Sequence, residues 1–528
     1  MSSRRLPLTQ ALRLQGPSAI WFKPALSVVV SAAPPNLLLL ALGRLDLALY
    51  TMAGSLCALY AHQRPYAARA RVLAGVVLGM TAGLAVALVA SALAPGPVVL
   101  VLVGALLAAT QKTVCEATRV GPPGNVVVTF ISSAALFVPQ TPGQVPAHLG
   151  LALAAGAWAW LVCMAPGVLR PHGPERRAVA AALHAAADLA EQGRAPAHAA
   201  LHTAWQILRS PGTRPDPTRR ALENLLLRAE TADADPRQLR AWARALRGTG
   251  PVPRTETPHS VDAHPRPARI PFTHLAPIAT RTALGCALAG LAALSLGVGR
   301  PYWALVTAAS LYQANVTLTW NRSVQRVVGN LLGVLVFAAL TPLTHLHPVT
   351  LVLCCLACSF GAEALIARNY WLGTVCVTPM ALLITEFTHL QDPGPLITQR
   401  VLDTLVGALA GFAAAVIVTN RRAGDRVHDA LTAVENAGAH TERLLAHPAP
   451  HALPAARRAL ALALTDLRAT ADTAQGEWWQ RPFPAERLTL AERAGHRTLA
   501  AAVRHRGVAP LKQDSTQDRH GTTEDTRP

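Results

Sequence analysis

Residues 299 to 333, GRPYWALVTAASLYQANVTLTWNRSVQRVVGNLLG, constrain this chain more than any other stretch. From Ala304 to Val316 no residue carries charge, Arg300 stands before that run, and Arg322 and Arg326 follow it. Such a run predicts a helix crossing a bilayer, because in hydrocarbon only a helix or a closed barrel satisfies every backbone hydrogen bond. The expected fold is an all-α polytopic membrane protein.

A fainter copy lies at residues 43 to 79. Gly43, Arg44, Ala48, Leu49, Thr51 and Ala53 match Gly299, Arg300, Ala304, Leu305, Thr307 and Ala309, and Gly75 and Gly79 match Gly329 and Gly333. A second echo pairs VVVT at 126 to 129 with VCVT at 375 to 378. Two halves, each a membrane block followed by a polar block, account for both.

Composition agrees with this reading. A chain of 528 residues that is 51% hydrophobic and 15% charged, with mean hydropathy +0.29, is too apolar for an ordinary soluble protein. It has room for about a dozen spans of roughly 20 residues. The net charge of +19 would point a soluble chain toward nucleic acid. Here the arginines flank apolar runs or sit in the polar blocks, so they read as topology anchors and contacts to membrane lipid, with no nucleic acid expected. The lysines are Lys23, Lys112 and Lys512, and none follows a glycine, which excludes a Walker A phosphate loop. The cysteine cluster Cys354, Cys355 and Cys358 lacks flanking histidines or acids and reads as apolar packing rather than a metal site. No cofactor is expected, and no catalytic set of nucleophile and base stands out, so an enzyme is the least favoured class.

Taken in order, residues 1 to 24 form a basic N-terminus, and a first membrane block follows at 25 to 169 with apolar runs near 25–42, 45–62, 72–93, 96–111, 123–138 and 148–169. A helical block is expected at 170 to 248, a Pro-rich linker with His259 and His264 at 249 to 272, and a second membrane block at 273 to 420. Its six runs lie near 276–297, 302–319, 325–342, 348–366, 371–388 and 400–419. A second helical block with the Trp478–Trp479 pair covers 421 to 510, and residues 511 to 528 form a polar tail. The loop arginines put both termini and both helical blocks on the cytoplasmic side of the cell membrane.

Arg300, Tyr302, Trp303, Ala304 and Thr307, then Arg322, Arg326, Gly329 and Gly333, resemble the signature of the fusaric acid resistance (FUSC) family, grouped with aromatic acid exporters. The stretches Arg368, Asn369, Tyr370 through Thr378 and Pro379, and Arg400, Asp403, Thr404 and Gly407, resemble two further family motifs. The resemblance implies a six-helix membrane unit joined to a cytoplasmic helical region, here twice, and export of organic anions such as aromatic carboxylates. It also leaves open a homo-oligomer or an internal pseudo-dimer. Asn330 stands where the family usually has threonine, and the first half has Leu45 to Leu47 in place of the Tyr–Trp pair.

An ionised side chain at membrane depth costs a few kcal/mol, so one that persists faces a cavity or a partner. The pathway candidates are Arg300, Tyr302, Trp303, Thr307, Arg44, Arg322 and Arg326, and the proton-coupling candidates are Asp403 and Glu363. Arg300 and Arg44 lie on the face where arginine is disfavoured, and a guanidinium fork suits a carboxylate. Each candidate has a plainer reading. Tyr302 and Trp303 suit an interfacial belt, Arg322 and Arg326 suit topology anchors, Arg400 and Asp403 could pair at a helix start, and Gly329 and Gly333 read as a helix-packing face. Three functions remain: a proton-coupled exporter of organic anions, a passive anion channel, or a structural or regulatory membrane protein without transport.

Overall fold

The computed structural model describes residues 11–14, 16, 21–93, 96–192, 197–208, 210, 216–229, 235–248, 250–253, 272–418, 423–447, 452–478 and 484–504. Most of the Pro-rich linker, with His259 and His264, lies outside the described residues, as do Trp479 and the polar tail. All regular elements among the described residues are helical, in two six-helix membrane blocks, each followed by a soluble helical block.

The first membrane block comprises α1 (Phe22–Ala41), α2 (Ala48–Ser55, extended by 3-10 turns on both sides), α3 (Tyr66–Ala92), α4 (Pro97–Ala117), α5 (Val126–Leu136) and α6 (Val145–Leu169). Helices α7 (Gly173–Gln192), α8 (Ala197–Leu208), α9 (Pro217–Ala229) and α10 (Pro236–Arg247) make the first soluble block. The second membrane block runs α11 (Phe272–Ser295), α12 (Pro301–Leu311), α13 (Val316–Thr344), α14 (Pro348–Ile366), α15 (Tyr370–Glu386) and α16 (Pro393–Ile417). Helices α17 (Ala423–Ala446), α18 (Leu453–Gln475) and α19 (Ala485–Arg504) complete the chain. Proline at the first turn starts α4, α12, α14 and α16, where its missing N–H costs nothing and its fixed φ suits the helix.

Eight described helices are long and apolar enough to cross a bilayer, and the chain is a multi-pass membrane protein. The short helices occupy corresponding places, second and fifth in each half. Here the structure corrects the sequence reading. The expected span at 302 to 319 is an 11-residue helix, α12, ended by an extended Tyr312. Eleven residues rise about 16 Å, roughly half the hydrocarbon thickness. Arg322, expected between the runs at 302–319 and 325–342, consequently sits inside α13 together with Arg326. A helix that short is tolerated at membrane depth only when protein encloses it, and every residue of α12 is buried.

Close approaches hold α12 in place. A Cβ on Gly407 would strike the Ala304 carbonyl and come within 2.8 Å of Thr307 Cβ; one on Gly411 would lie 3.1 Å from Ala308 Cα. Gly104 of the first half meets Leu305 in the same way, at 2.9 Å. Gly329 and Gly333 let α13 lie on α15, with Thr374 Cβ and Thr378 Cβ each 2.6 Å from a hypothetical methyl. These two glycines form the helix-packing face read from the sequence. Asn330 adds polar glue by accepting from the Thr378 hydroxyl at 2.7 Å.

The soluble blocks have their own apolar cores. Val179 and Leu183 of α7 pack with Leu222 and Leu226 of α9 and Leu239 of α10, and Leu431 of α17 with Leu460 and Leu467 of α18. The second block is also fastened to the membrane block. Arg281 of α11 donates from Nη1 and Nη2 to the Glu477 carboxylate at 3.0 and 2.8 Å, both side chains almost fully buried. The Gly476 carbonyl accepts from the Thr317 amide at 3.1 Å and its hydroxyl at 2.9 Å, just past the break that ends α12. At the N-terminus, Gln325 donates to the Ala11 carbonyl at 2.7 Å, Asn369 to Ala11 and Arg13 at 3.1 and 3.0 Å, and the Trp371 indole to Leu12 at 3.3 Å.

Candidate functional site

The site grows from the two ends of α12. At its start, the Trp303 indole is fully buried between two cations: Arg300 Cζ lies 5.2 Å and Arg400 Cζ 5.0 Å from the ring centroid, both within cation–π reach. Burial excludes the interfacial-belt reading of Trp303, and Tyr302, also buried, stacks on Phe137 of the first half at 5.9 Å. Arg300 donates to the Gln391 side chain. Arg400 and Asp403 lie on α16, both buried, two to three turns inside a helix that begins at Pro393. Both Asp403 oxygens, Arg400 Nε and Nη1, Trp303 Nε1 and Thr307 Oγ1 find no hydrogen-bond partner within the protein. The simple pairing of Arg400 with Asp403 at a helix start is therefore not what forms.

At the other end of α12, Tyr370 gathers the remaining cations. Arg322 Cζ stands 3.7 Å over its ring, and Arg326 Nη1 donates to its hydroxyl at 3.2 Å. The Asn315 side chain accepts from the Leu318 amide at 2.8 Å, which caps α13 and fixes where Arg322 and Arg326 begin. Arg322, Arg326, Tyr370, Arg400 and Ser310 line one cavity of about 1740 Å³, with Glu363 of α14 on its wall. A fitted site for one small molecule is roughly 300–1,000 Å³, so this space is a vestibule rather than a tight pocket. It extends from the soluble blocks, where Trp205 and Arg458 line it, to Arg400. Lys112 and Glu116 of α4 also line it, but their 2.9 Å ion pair neutralises both. Among the described residues, no carboxylate pairs with Arg322, Arg326 or Arg400.

Residues 287–414 match the family described as fusaric acid resistance protein-like. Over those residues the second membrane block is similar to that family. The chain is also 25% identical, over 97% of its own length and 90% of the relative's, to an uncharacterized membrane protein, YvaC, of Bacillus subtilis (strain 168). No solved structure matches. The family is one of membrane transport and efflux.

The second membrane block brings Arg300, Tyr302, Trp303 and Thr307 together with Asp403 at one end of α12, and Arg322 and Arg326 together at the other. Glu363 joins them only through the vestibule wall. Arg44 stays outside: its Nε and Nη2 bind the two oxygens of Asp46, each at 3.0 Å, on an exposed turn of the first half. Sequence reasoning missed Arg400 and Tyr370 as site members. For Arg400 the signal was present, a cation within a mostly apolar run from Leu396 to Ile417, but Asp403 three residues later supplied a ready local partner. Tyr370 begins its helix, where a tyrosine reads as a belt residue.

Proposed function

We propose that this chain exports organic anions, aromatic carboxylates foremost, from the vestibule through the α12 cluster to the far side of the inner membrane. In this reading the soluble blocks and both termini face the cytoplasm, as the loop arginines favour. The observation that carries the proposal is the vestibule lined by Arg322, Arg326 and Arg400, with no carboxylate paired to any of them among the described residues. Uncompensated guanidinium groups at membrane depth favour an anion, and each can donate two parallel bonds to a carboxylate. The buried Trp303 ring, 5.0 Å from Arg400 Cζ, positions that guanidinium at the vestibule wall. Asp403, buried within the same cluster and without a hydrogen-bond partner, is the proposed proton carrier.

Flux of a labelled aromatic carboxylate in proteoliposomes tests this. Arg326→Gln lowers flux at least about tenfold, and Asp403→Asn abolishes its dependence on an imposed proton gradient while the protein still reconstitutes. Flux that follows voltage and ignores Asp403→Asn identifies a passive channel instead. Vesicles impermeable to every carboxylate offered overturn the transport reading.

A further inference from the structure

A second group of cations, none of them in the vestibule lining, borders it at His62, Trp21 and Pro24, where the first membrane block meets its soluble block. Lys23 opens α1, Arg69 opens α3, Arg170 ends α6, and Arg176 and Arg177 open α7. Lys23 stands within electrostatic reach of Arg170 and Arg177, Arg177 of Arg69, and Arg176 of Arg170. Five cations thus converge from four helices.

Their internal partners do not balance them. Arg69, only 5% exposed, donates to the Cys163 carbonyl at 3.3 Å and contacts His62 Nδ1 at 3.0 Å, while its Nε has no partner within the protein. Arg177 donates from Nε to the Gly173 carbonyl at 3.1 Å, and its buried Nη1 has none. Arg176 bonds the Gly250 carbonyl at 2.6 Å and leaves Nε unmet. The carboxylate near them, Glu175, is buried and shared with His172 and Arg219, and burial holds its pKa above the usual range. Burial first, then Arg69, Arg177 and Lys23, push His62 down to about 3. His62 therefore stays neutral and adds no charge of its own.

Concentrated positive charge with buried, unmet N–H groups calls for a multivalent oxygen acceptor, and phosphate has that chemistry. The surroundings say which phosphate. Phe22 and Leu26 of α1 are 44% and 54% exposed, and Val168 and Leu169 of α6 are 86% and 85% exposed. An exposed apolar flank beside a basic site at the end of membrane helices matches acyl chains below a headgroup. We infer that Lys23, Arg170 and Arg177 hold the phosphate of an anionic phospholipid, in the leaflet nearest the soluble blocks, with its chains along α1 and α6. The site is separate from the α12 cluster and independent of what the protein transports.

Native mass spectrometry and thermal unfolding of the detergent-purified full chain test the inference, using phosphatidylglycerol, phosphatidylcholine and inorganic phosphate as probes. Phosphatidylglycerol is expected to bind saturably and raise the unfolding midpoint, phosphatidylcholine to do neither, and inorganic phosphate to compete weakly at most. Lys23→Gln and the exposed Arg170→Gln each weaken phosphatidylglycerol binding about fivefold. Arg170→Gln leaves the midpoint without lipid unchanged, which separates lost binding from lost folding. Equal binding of the two lipids, wild-type affinity in both variants, or equal protection by inorganic phosphate overturns the assignment.

Discussion

The two membrane blocks share one plan and use it differently. In each, the second and fifth helices are shorter than the other four, which are long and apolar enough to cross a bilayer. At the start of the second helix, however, the first half ties its arginine to a neighbour: Arg44 is chelated by Asp46 and exposed. The second half leaves Arg300 and Arg400 flanking a buried indole with no acid bound to either. The first half fills the neighbourhood with neutral groups, Tyr50 stacked on His148 at 3.9 Å and Gln140 bonded to both. The two halves share the scaffold, but the pair of guanidinium groups around a buried indole is found beside α12 and not beside α2.

The sharpest way to break that contrast is to remove matched arginines. Arg400→Gln is expected to cut carboxylate flux in proteoliposomes by about 100-fold, from loss of charge-assisted bonds near membrane depth. Arg44→Gln should leave flux within about twofold, because Asp46 already satisfies that guanidinium. Comparable losses in both variants would return the first half to the pathway.

The next effect compares ion pairs. Glu477→Gln leaves Arg281 buried beside a neutral amide and is expected to destabilise the protein by about 3 kcal/mol, read as a lower unfolding midpoint. In the first soluble block, Arg240 holds Asp188 and Glu191 at 2.9 and 2.8 Å on a solvated surface. Arg240→Ala should not shift the midpoint measurably. A silent Glu477→Gln removes the claim that the second block is anchored through this pair.

The smallest effect concerns the matched glycines. Gly333→Ala meets Thr378 on the facing helix and should cost about 1–3 kcal/mol, whereas Gly79 faces open space. Gly79→Ala should be neutral or stabilising by up to about 1 kcal/mol. Midpoints of the two variants, measured side by side, decide whether the repeat carries its packing face in both halves.

Much of this architecture was legible in the sequence because hydrophobic length and arginine placement are one-dimensional signals. The packing face at Gly329 and Gly333 followed from four-residue spacing alone. The break after Leu311 did not, since Tyr312 to Asn315 carry no charge and hydropathy scores a broken helix like a continuous one. The cue was Asn315, a good helix-capping residue ahead of Val316, which gains meaning only once Arg322 and Arg326 are known to be intrahelical. The Arg281–Glu477 pair spans 196 positions, and no local pattern links its partners. Separation in sequence likewise hid Arg400 from Trp303, so the candidate site was read as two separate motifs.

The strap at Ala11 to Arg13 has a consequence for biogenesis. Its carbonyls are held by Gln325, Asn369 and Trp371, more than 310 positions downstream. During synthesis the earliest residues must wait for most of the polypeptide before they can be seated. A chain interrupted before Gln325 leaves this segment without those donors, so its seating falls at the close of assembly rather than at its beginning.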